Sequence, residues 1–522
     1  MNRRSFLAHA SAAAVYPFLR TASPAPILSA EVTLADHPLA PTIPLTFTGL
    51  SYELAQLTDP SFFSASNTDL VAHFRLLSPN GVLRIGGNTS EFCWFRASTS
   101  TRPPKLRLPP DNLDANWMPH QLFEIRPEAI DALAGFLQAT GWRLIYGLNF
   151  GNNTPERAAA EAAYVASKTG EHLEFFQIGN EPDFYRDANN GTRPPSWDFH
   201  DYLQEWIAFA QAIAKKVPAA RFGGPDVGAS SYWMTRFGDQ PLATIGPSLA
   251  AITGHYYAEG PPNDPSVTIQ RLLAGNPKID SETRQIVAIA QAHGRVYRMT
   301  EGNSCYRGGK PGMSDAFAAA LWACDYMLQL ASLGCTGVNL HGGVSAFLTA
   351  GLGGHTPGFE TAKVQQRVRS GYYTPISSEP ASPVRATPIF YGMLLANQLA
   401  GEKTLRVVGS LAGGNAAVYA SKGTSAYKVA AINKDDRTAL VLAIRSPKPI
   451  RAATAWRLQA PSLDSTEGVT LGGAEIAAHA QWAAKTLERL EVREGAAHLH
   501  LPQPAPPWCF SPEHPSLPPE TP

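Results

Sequence analysis

Two stretches of the chain place a glutamate where an apolar run gives out. In "LEFFQIGNEPDFY" (173–185) the run breaks at Gly179, and Asn180, Glu181, Pro182 and Asp183 follow at once. In "RVYRMTEGNS" (295–304) Glu301 stands in the same kind of place. Two carboxyl groups brought together are what hydrolysis of a glycosidic bond needs. One is protonated and gives its proton to the leaving oxygen; the other is ionised and attacks or stabilises the anomeric carbon. Asn180 adds an amide able to bond a sugar 2-hydroxyl, a contact that strengthens at the transition state. Pro182 lacks a backbone donor and stiffens the turn that aims Glu181.

Such residues need a frame that sets them facing one another. Apolar, β-rich runs alternate with helical ones at 45–53, 81–87, 142–150, 173–181, 221–228, 250–258, 295–303 and 336–343. Helices are expected between them, including 127–140, 155–169, 197–216, 281–293 and 314–333, with a further one at 387–401. Pro155 suits a first helical turn, and Ser196 suits an N-cap. Continuous apolar strands separated by helices are parallel strands buried on both faces, and eight of them close a barrel. An open doubly wound sheet would carry a Gly-rich phosphate loop after its first strand; "LSYELAQL" has none. The expected fold is α/β, a (β/α)8 TIM barrel over 45–401 with a smaller C-terminal β-sandwich domain over 402–510. Residues 31–44 are a candidate strand of that sandwich. The segment 474–492 is ambiguous, helical on propensity alone, and 511–522 is a Pro-rich tail. In a barrel, chemistry sits at the C-terminal ends of the strands, where Glu53, Asn149, Asn180, Glu181, His255, Tyr257 and Glu301 all fall.

Composition narrows the partners. Lys plus Arg and Asp plus Glu number 43 each in 522 residues, so no net basic field points to nucleic acid or to a membrane surface. Residues 1–30 carry Arg3-Arg4, Ser5-Phe6-Leu7 and an Ala-rich stretch, which resembles a bacterial twin-arginine export signal with Ala30 as a candidate last residue. That predicts a periplasmic or extracellular location. Cys93, Cys305, Cys324, Cys335 and Cys509 are scattered and odd in number. Nothing has metal-ligand spacing. Free buried thiols are expected, with no metal and no cofactor.

"GNEP" and "TEGNS" resemble the clan A retaining glycosidases, and the ordered set "LSYE", "LRIGGNTSEF", "GHYY", "TEGNSCY" and "GYYTPI" resembles glycoside hydrolase family 79, the β-glucuronidases and heparanases. The likeness covers most of 45–400. It implies Glu181 as acid/base and Glu301 as nucleophile. It implies that Glu53 and Asn180 bind sugar hydroxyls and that Tyr257 orients Glu301. It also implies that Tyr306, Gly371 and either Tyr372 or Tyr373 hold the substrate carboxylate. "PQPAPPWCF" departs from the family, where an apolar closing strand is usual.

Plainer readings compete. Glu181 could cap a helix, Arg295 or Arg298 could pair with Glu301, and Arg84 could pair with Glu53. His255 reads as a hydrogen-bonded support, and Asp183, Glu91 and Glu259 as supporting or surface groups. The segment 353–385 is long for a βα connection and suggests a loop over the mouth, favouring a pocket that takes a chain end. The expected function is a retaining exo-β-glucuronidase with a glucuronic acid-containing glycan or glucuronide as substrate. Rival readings are an endo-acting heparanase-like enzyme, a glycosidase for a neutral sugar such as an arabinofuranosidase or xylosidase, and a silent carbohydrate-binding protein.

Overall fold

The computed structural model describes residues 26–107, 119, 121–187, 190–240, 248–354, 370–411, 413–424 and 426–504. Its eight barrel strands, first to eighth, are Thr48–Glu53, Val82–Gly86, Arg143–Leu148, Leu173–Ile178, Phe222–Val227, Leu249–Glu259, Val296–Cys305 and Val338–Gly342. Each pairs in parallel with the next, and the eighth returns to the first, so the sheet closes. The first, second, fifth and eighth are buried at every residue, which is why their sequences show no polar alternation.

The helices between them start and stop on local signals. Pro127–Thr140 opens on proline and closes on Gly141 in the left-handed region (φ 77°). Pro155–Thr169 is capped by Thr154, whose hydroxyl accepts the Arg157 amide. The helix predicted from 197 begins at Phe199, and its cap is Asp198 rather than Ser196. Asp198 and Asp201 accept from each other's amides, a reciprocal pair that one serine upstream cannot make.

Behind the barrel lies a seven-stranded, mostly antiparallel sheet. Ile27–Thr42 is its middle strand, antiparallel to Lys403–Ser410 and parallel to Ala439–Arg445. Ile27 to Ala30 pair with Ala439 to Leu442, so this strand extends into the stretch read as leader. Ala496–Leu501 pairs with Ala439–Arg445. The part of "PQPAPPWCF" from 505 onward, with Cys509, lies outside the described residues. One face of the sheet buries Val32, Leu34, Leu405, Leu442 and Ile444, with Ile450, Ala455 and Leu490 packed over them. The other meets the barrel helix Phe317–Ser332, where Asp325 accepts from Tyr419 Oη (2.7 Å) and Lys434 Nζ (2.5 Å).

The ambiguous 474–492 is not helical. It holds one short turn, Ala478–Ala480, with His479 left-handed, and ends in strands Glu488–Arg489 and Glu491–Arg493. Tertiary partners decide this: the Ile476 amide donates to Tyr391 Oη (2.8 Å) and Trp482 Nε1 to the Leu471 carbonyl (3.2 Å). Cys93, Cys305, Cys324 and Cys335 are buried free thiols. Among the described residues no helix is long and apolar enough to cross a membrane.

Candidate active site

The fourth strand ends at Ile178, and the next residues turn sharply. Gly179 has φ 89° and Glu181 itself is left-handed (φ 49°, ψ 50°), a conformation that costs a side-chain-bearing residue and that the surroundings must hold. They do so through backbone groups. The Asn180 amide donates to Glu91 Oε1 (2.7 Å), which sits on the loop after the second strand. The Glu181 amide donates to the Asp226 carbonyl (2.9 Å) at the end of the fifth strand. Asp183 accepts from the amides of Gly228, Ala229 and Ser230. Glu91 and Asp183 thus brace the turn from both sides, while Glu259 pairs outward with Arg271 (3.0 Å).

Glu181 and Glu301 meet at the mouth. One carboxylate oxygen from each and a nitrogen of His255 all lie within 4.8 Å of one another. Glu301 Oε1 accepts from Tyr257 Oη (2.8 Å), and Oε2 accepts from Arg84 Nη1. Arg295 and Arg298 do not reach it: Arg295 donates to the Gly238 carbonyl and Arg298 to Asn339 and the Thr46 carbonyl. Glu181 Oε1 bonds His255 Nδ1 (3.0 Å), whose Nε2 stands 3.2 Å from Asp226 Oδ1. Every group that could bind a cation here already answers another side chain, and Arg84 adds a fixed positive charge beside them.

The two carboxyls are shifted in opposite directions. Burial pushes Glu181 above its ordinary value, and the charges of Glu301 and Asp183 add to that, against the hydrogen bond from His255. Burial acts on Glu301 too, but His341, His255, Arg84 and the Tyr257 hydroxyl outweigh it and bring it down to about 2. His255 is itself an imidazolium: burial disfavours its charge, but Asp226 and then Glu301 raise it to about 10. Asp226 stays ionised well below the usual carboxylate range, since Arg84 and His255 overcome the cost of its burial. Two neighbouring carboxyls pushed apart in this way suit the division of labour that glycoside hydrolysis requires, one giving a proton and one ionised.

The other candidate residues surround this pair. Asn180 accepts from Arg84 Nη2 (2.8 Å) and donates to Asn88 Oδ1 (3.1 Å), leaving its second amide hydrogen for a ligand. Glu53 is not the partner of Arg84. It accepts from the Thr89 amide (2.8 Å) and hydroxyl (2.6 Å), with His341 Nε2 at 3.5 Å. Gly87 (φ 70°) makes room for it, since a side-chain carbon there would lie 2.6 Å from the Glu53 carboxylate. Tyr373 is buried, its ring 6.2 Å from Tyr257 and 5.9 Å from His341. Tyr372 and Tyr306 are half-buried nearer the rim, and the Tyr306 ring meets Tyr257 edge-on at 6.5 Å.

Gly371 departs from expectation. Its amide does not point free towards a substrate but donates to the Gly308 carbonyl (2.9 Å), as does that of Tyr372 (2.8 Å). The chain after Gly371 must stay joined to the turn after Tyr306, and the left-handed Gly371 (φ 104°) allows that approach. Arg367 and Arg369, cations whose place in the sequence also offers them as partners for a substrate carboxylate, lie outside the described residues. Arg307, beside Tyr306, stands 5.5 Å over its ring.

Three residues escaped the sequence reading. Arg84 was noted only as a partner for Glu53, yet it binds Ser51, Gln177, Asn180, Asp226 and Glu301 together. Asp226 and His341 end the fifth and eighth strands. The strand-exit rule that picked out Glu181 applies to both, but the glycines around them ("GGPDVG", "LHGG") hid it.

No protein-family model matches the chain. It is 28% identical over 309 residues to a β-glucuronidase of Aspergillus niger, covering 55% of each. It is 27% identical over 363 residues to a β-glucuronidase of Neurospora crassa, covering 61% of each. The matched part is therefore less than two thirds of the length of these relatives. In structure it is similar to a 4-O-α-L-rhamnosyl-β-D-glucuronidase from Fusarium oxysporum, with TM-score 0.66 and 19% identity over 91% of this chain and 98% of that one. These likenesses accord with the resemblance to glycoside hydrolase family 79 that the ordered motifs carry, and the last of them shows the fold, a closed parallel barrel with a mostly antiparallel sheet domain.

Proposed function

We propose that the protein is a retaining exo-β-glucuronidase that removes terminal β-linked glucuronic acid through a covalent glycosyl-enzyme. The observation that carries this is the pair itself, Glu181 raised by burial and Glu301 lowered by the cations beside it, with one carboxylate oxygen of each within 4.8 Å of the other. Retaining enzymes hold their carboxyl groups about 5–5.5 Å apart, while inverting ones need about 6.5–9.5 Å to admit a water. Glu301 attacks the anomeric carbon as Glu181 gives its proton to the departing oxygen. Glu181 then takes a proton from water, whose oxygen displaces Glu301. A silent binding protein has no use for such a pair. The amides of Gly371 and Tyr372 tie the segment after the eighth strand to the Gly308 carbonyl after the seventh, which supports a bounded pocket and release from chain ends. The Arg3-Arg4 leader supports export.

A panel of nitrophenyl glycosides tests the reading. Hydrolysis of the β-glucuronide well above the xyloside, arabinofuranoside and glucoside is expected; preference for a neutral sugar would overturn it.

Activity should also follow a bell in pH. Glu301 must be ionised, so the acid limb falls only towards pH 2. Glu181 must keep its proton, and because its value is raised the basic limb lies above the usual carboxylate range. In kcat/KM profiles with an activated substrate, Glu181→Ala should lose the basic limb and keep the acid one.

Selection for the acid group needs donors at carbon five of the sugar. With the Gly371 amide engaged, we assign that contact to the Tyr306 hydroxyl. Losing one such donor costs about 1–3 kcal/mol. Tyr306→Phe should therefore lower kcat/KM on the glucuronide by about 10- to 100-fold and leave any xyloside activity nearly unchanged. Equal losses on both substrates would assign Tyr306 to packing.

A further inference from the structure

The mechanism above uses Glu181 and Glu301 but gives no task to Asp226, although Asp226 touches the machinery on every side. Its carboxylate accepts from Arg84 Nη2 (2.6 Å), Thr300 Oγ1 (2.6 Å) and Gln177 Nε2, and stands 3.2 Å from His255 Nε2. Its carbonyl accepts the Glu181 amide (2.9 Å). Its own backbone is left-handed (φ 59°), an arrangement kept only where surrounding bonds over-determine it. A line of ionisable groups therefore runs Glu181, His255, Asp226, Arg84, Glu301, from one carboxyl of the pair to the other.

We infer that Asp226 is a positioning residue: it holds His255 as an imidazolium against Glu181 and so fits Glu181 for the second half of the reaction, the hydrolysis of the glycosyl-enzyme. This rests on the double-displacement reading. Before reaction, Arg84 and His255 balance Asp226 and Glu301, and Glu181 is neutral. In the first step the aglycone oxygen leaves with the bonding pair and takes the Glu181 proton, and a Glu301 oxygen bonds the anomeric carbon. Glu301 is now an uncharged ester and Glu181 a carboxylate. The like charge that opposed ionisation of Glu181 has gone, while the imidazolium 3.0 Å away remains. Glu181 is thereby stable as the base that water needs in the second step. Water then gives a proton to Glu181, its oxygen bonds the anomeric carbon, and Glu301 leaves as a carboxylate.

The other charged groups do not replace Asp226 in this. Around His255 stand Glu181 on the fourth strand's turn, Glu301 on the seventh strand and Arg84 on the second, and Arg84 disfavours the imidazolium. Glu181 is faced besides by Asp183 on its own turn, whose charge opposes ionisation. Once Glu301 is esterified, Asp226 is the anion left against His255 Nε2.

The test is Asp226→Asn in the full-length protein with 2,4-dinitrophenyl β-glucuronide, whose departure needs little protonation. The second step should become limiting. kcat and KM should then fall together by about tenfold or more, with a burst of dinitrophenol, and azide, which needs no base, should restore kcat. The basic limb of kcat/KM should move to higher pH, because Glu181 loses the cation that favours its ionised form. A variant with an unmoved pH profile and no accumulated intermediate would overturn the inference. If the variant does not fold, nitrogen NMR of the wild-type protein decides, with the His255 ring assigned by its loss in His255→Gln. A ring charged from pH 5 to 8 sustains the inference, and one titrating near the ordinary value of about 6.5 overturns it. A wild-type protein inert on every aryl glucuronide would instead sink the functional reading, and the ring titration would still decide the charge on His255.

Discussion

Glu301→Gln should abolish turnover of every glycoside, activated or not, by on the order of 10⁵-fold or more, the scale on which a covalent nucleophile is lost. The amide is nearly isosteric, so Tyr257 and Arg84 keep a neighbour at 301 and the barrel keeps its packing. What disappears is the charge that attacks the anomeric carbon. Because no intermediate forms, azide should not restore the reaction, and binding of glucuronate by calorimetry should survive. A variant that still turned over dinitrophenyl glucuronide at a tenth of the wild-type rate would remove Glu301 from the mechanism.

Glu181→Ala should behave differently according to the leaving group. Substrates with poor leaving groups depend on the proton and should slow by about 10²- to 10⁴-fold. With dinitrophenyl glucuronide the first step should hardly change, and the second should become limiting for want of a base. Azide should then raise kcat and give a β-configured glucuronosyl azide, since Glu301 still shields the opposite face. The same loss across all leaving groups, with no azide effect, would make Glu181 a structural carboxylate. This variant removes the His255 bond to the side chain while the backbone at 181 must stay left-handed, so thermal unfolding should be followed alongside activity.

The two glutamates were legible because a carboxylate at the end of an apolar strand has few structural excuses, and alternation of strands with helices gives it an address. All eight barrel strands coincide with the runs that hydrophobicity marks, the sixth reaching one residue past its run at each end and the seventh two residues past at its C-terminal end. The charge network beneath the pair was not legible. Arg84 lies in a run, "GVLRIGG", where one polar residue among apolar ones says only that it must be satisfied, not by what. Its partners come from four other strands or their exits, at separations of up to 217 residues, and no local pattern encodes such distances. Asp226 shows the same limit, as its surroundings were set by Thr300 and His255 rather than by its neighbours in the chain. The Gly371 amide failed in the opposite direction. A glycine was rightly read as a place of close approach, but the approaching group is the Gly308 carbonyl.

Labelling with a 2-deoxy-2-fluoro-β-glucuronyl fluoride tests the central claim most directly, because the fluorine slows the second step and leaves the glycosyl-enzyme in place. The account predicts stoichiometric loss of activity and a peptide spanning 296–305 that carries one fluoroglucuronyl group on Glu301. Absence of covalent label while the reagent is hydrolysed, or a label on any other residue, would contradict it.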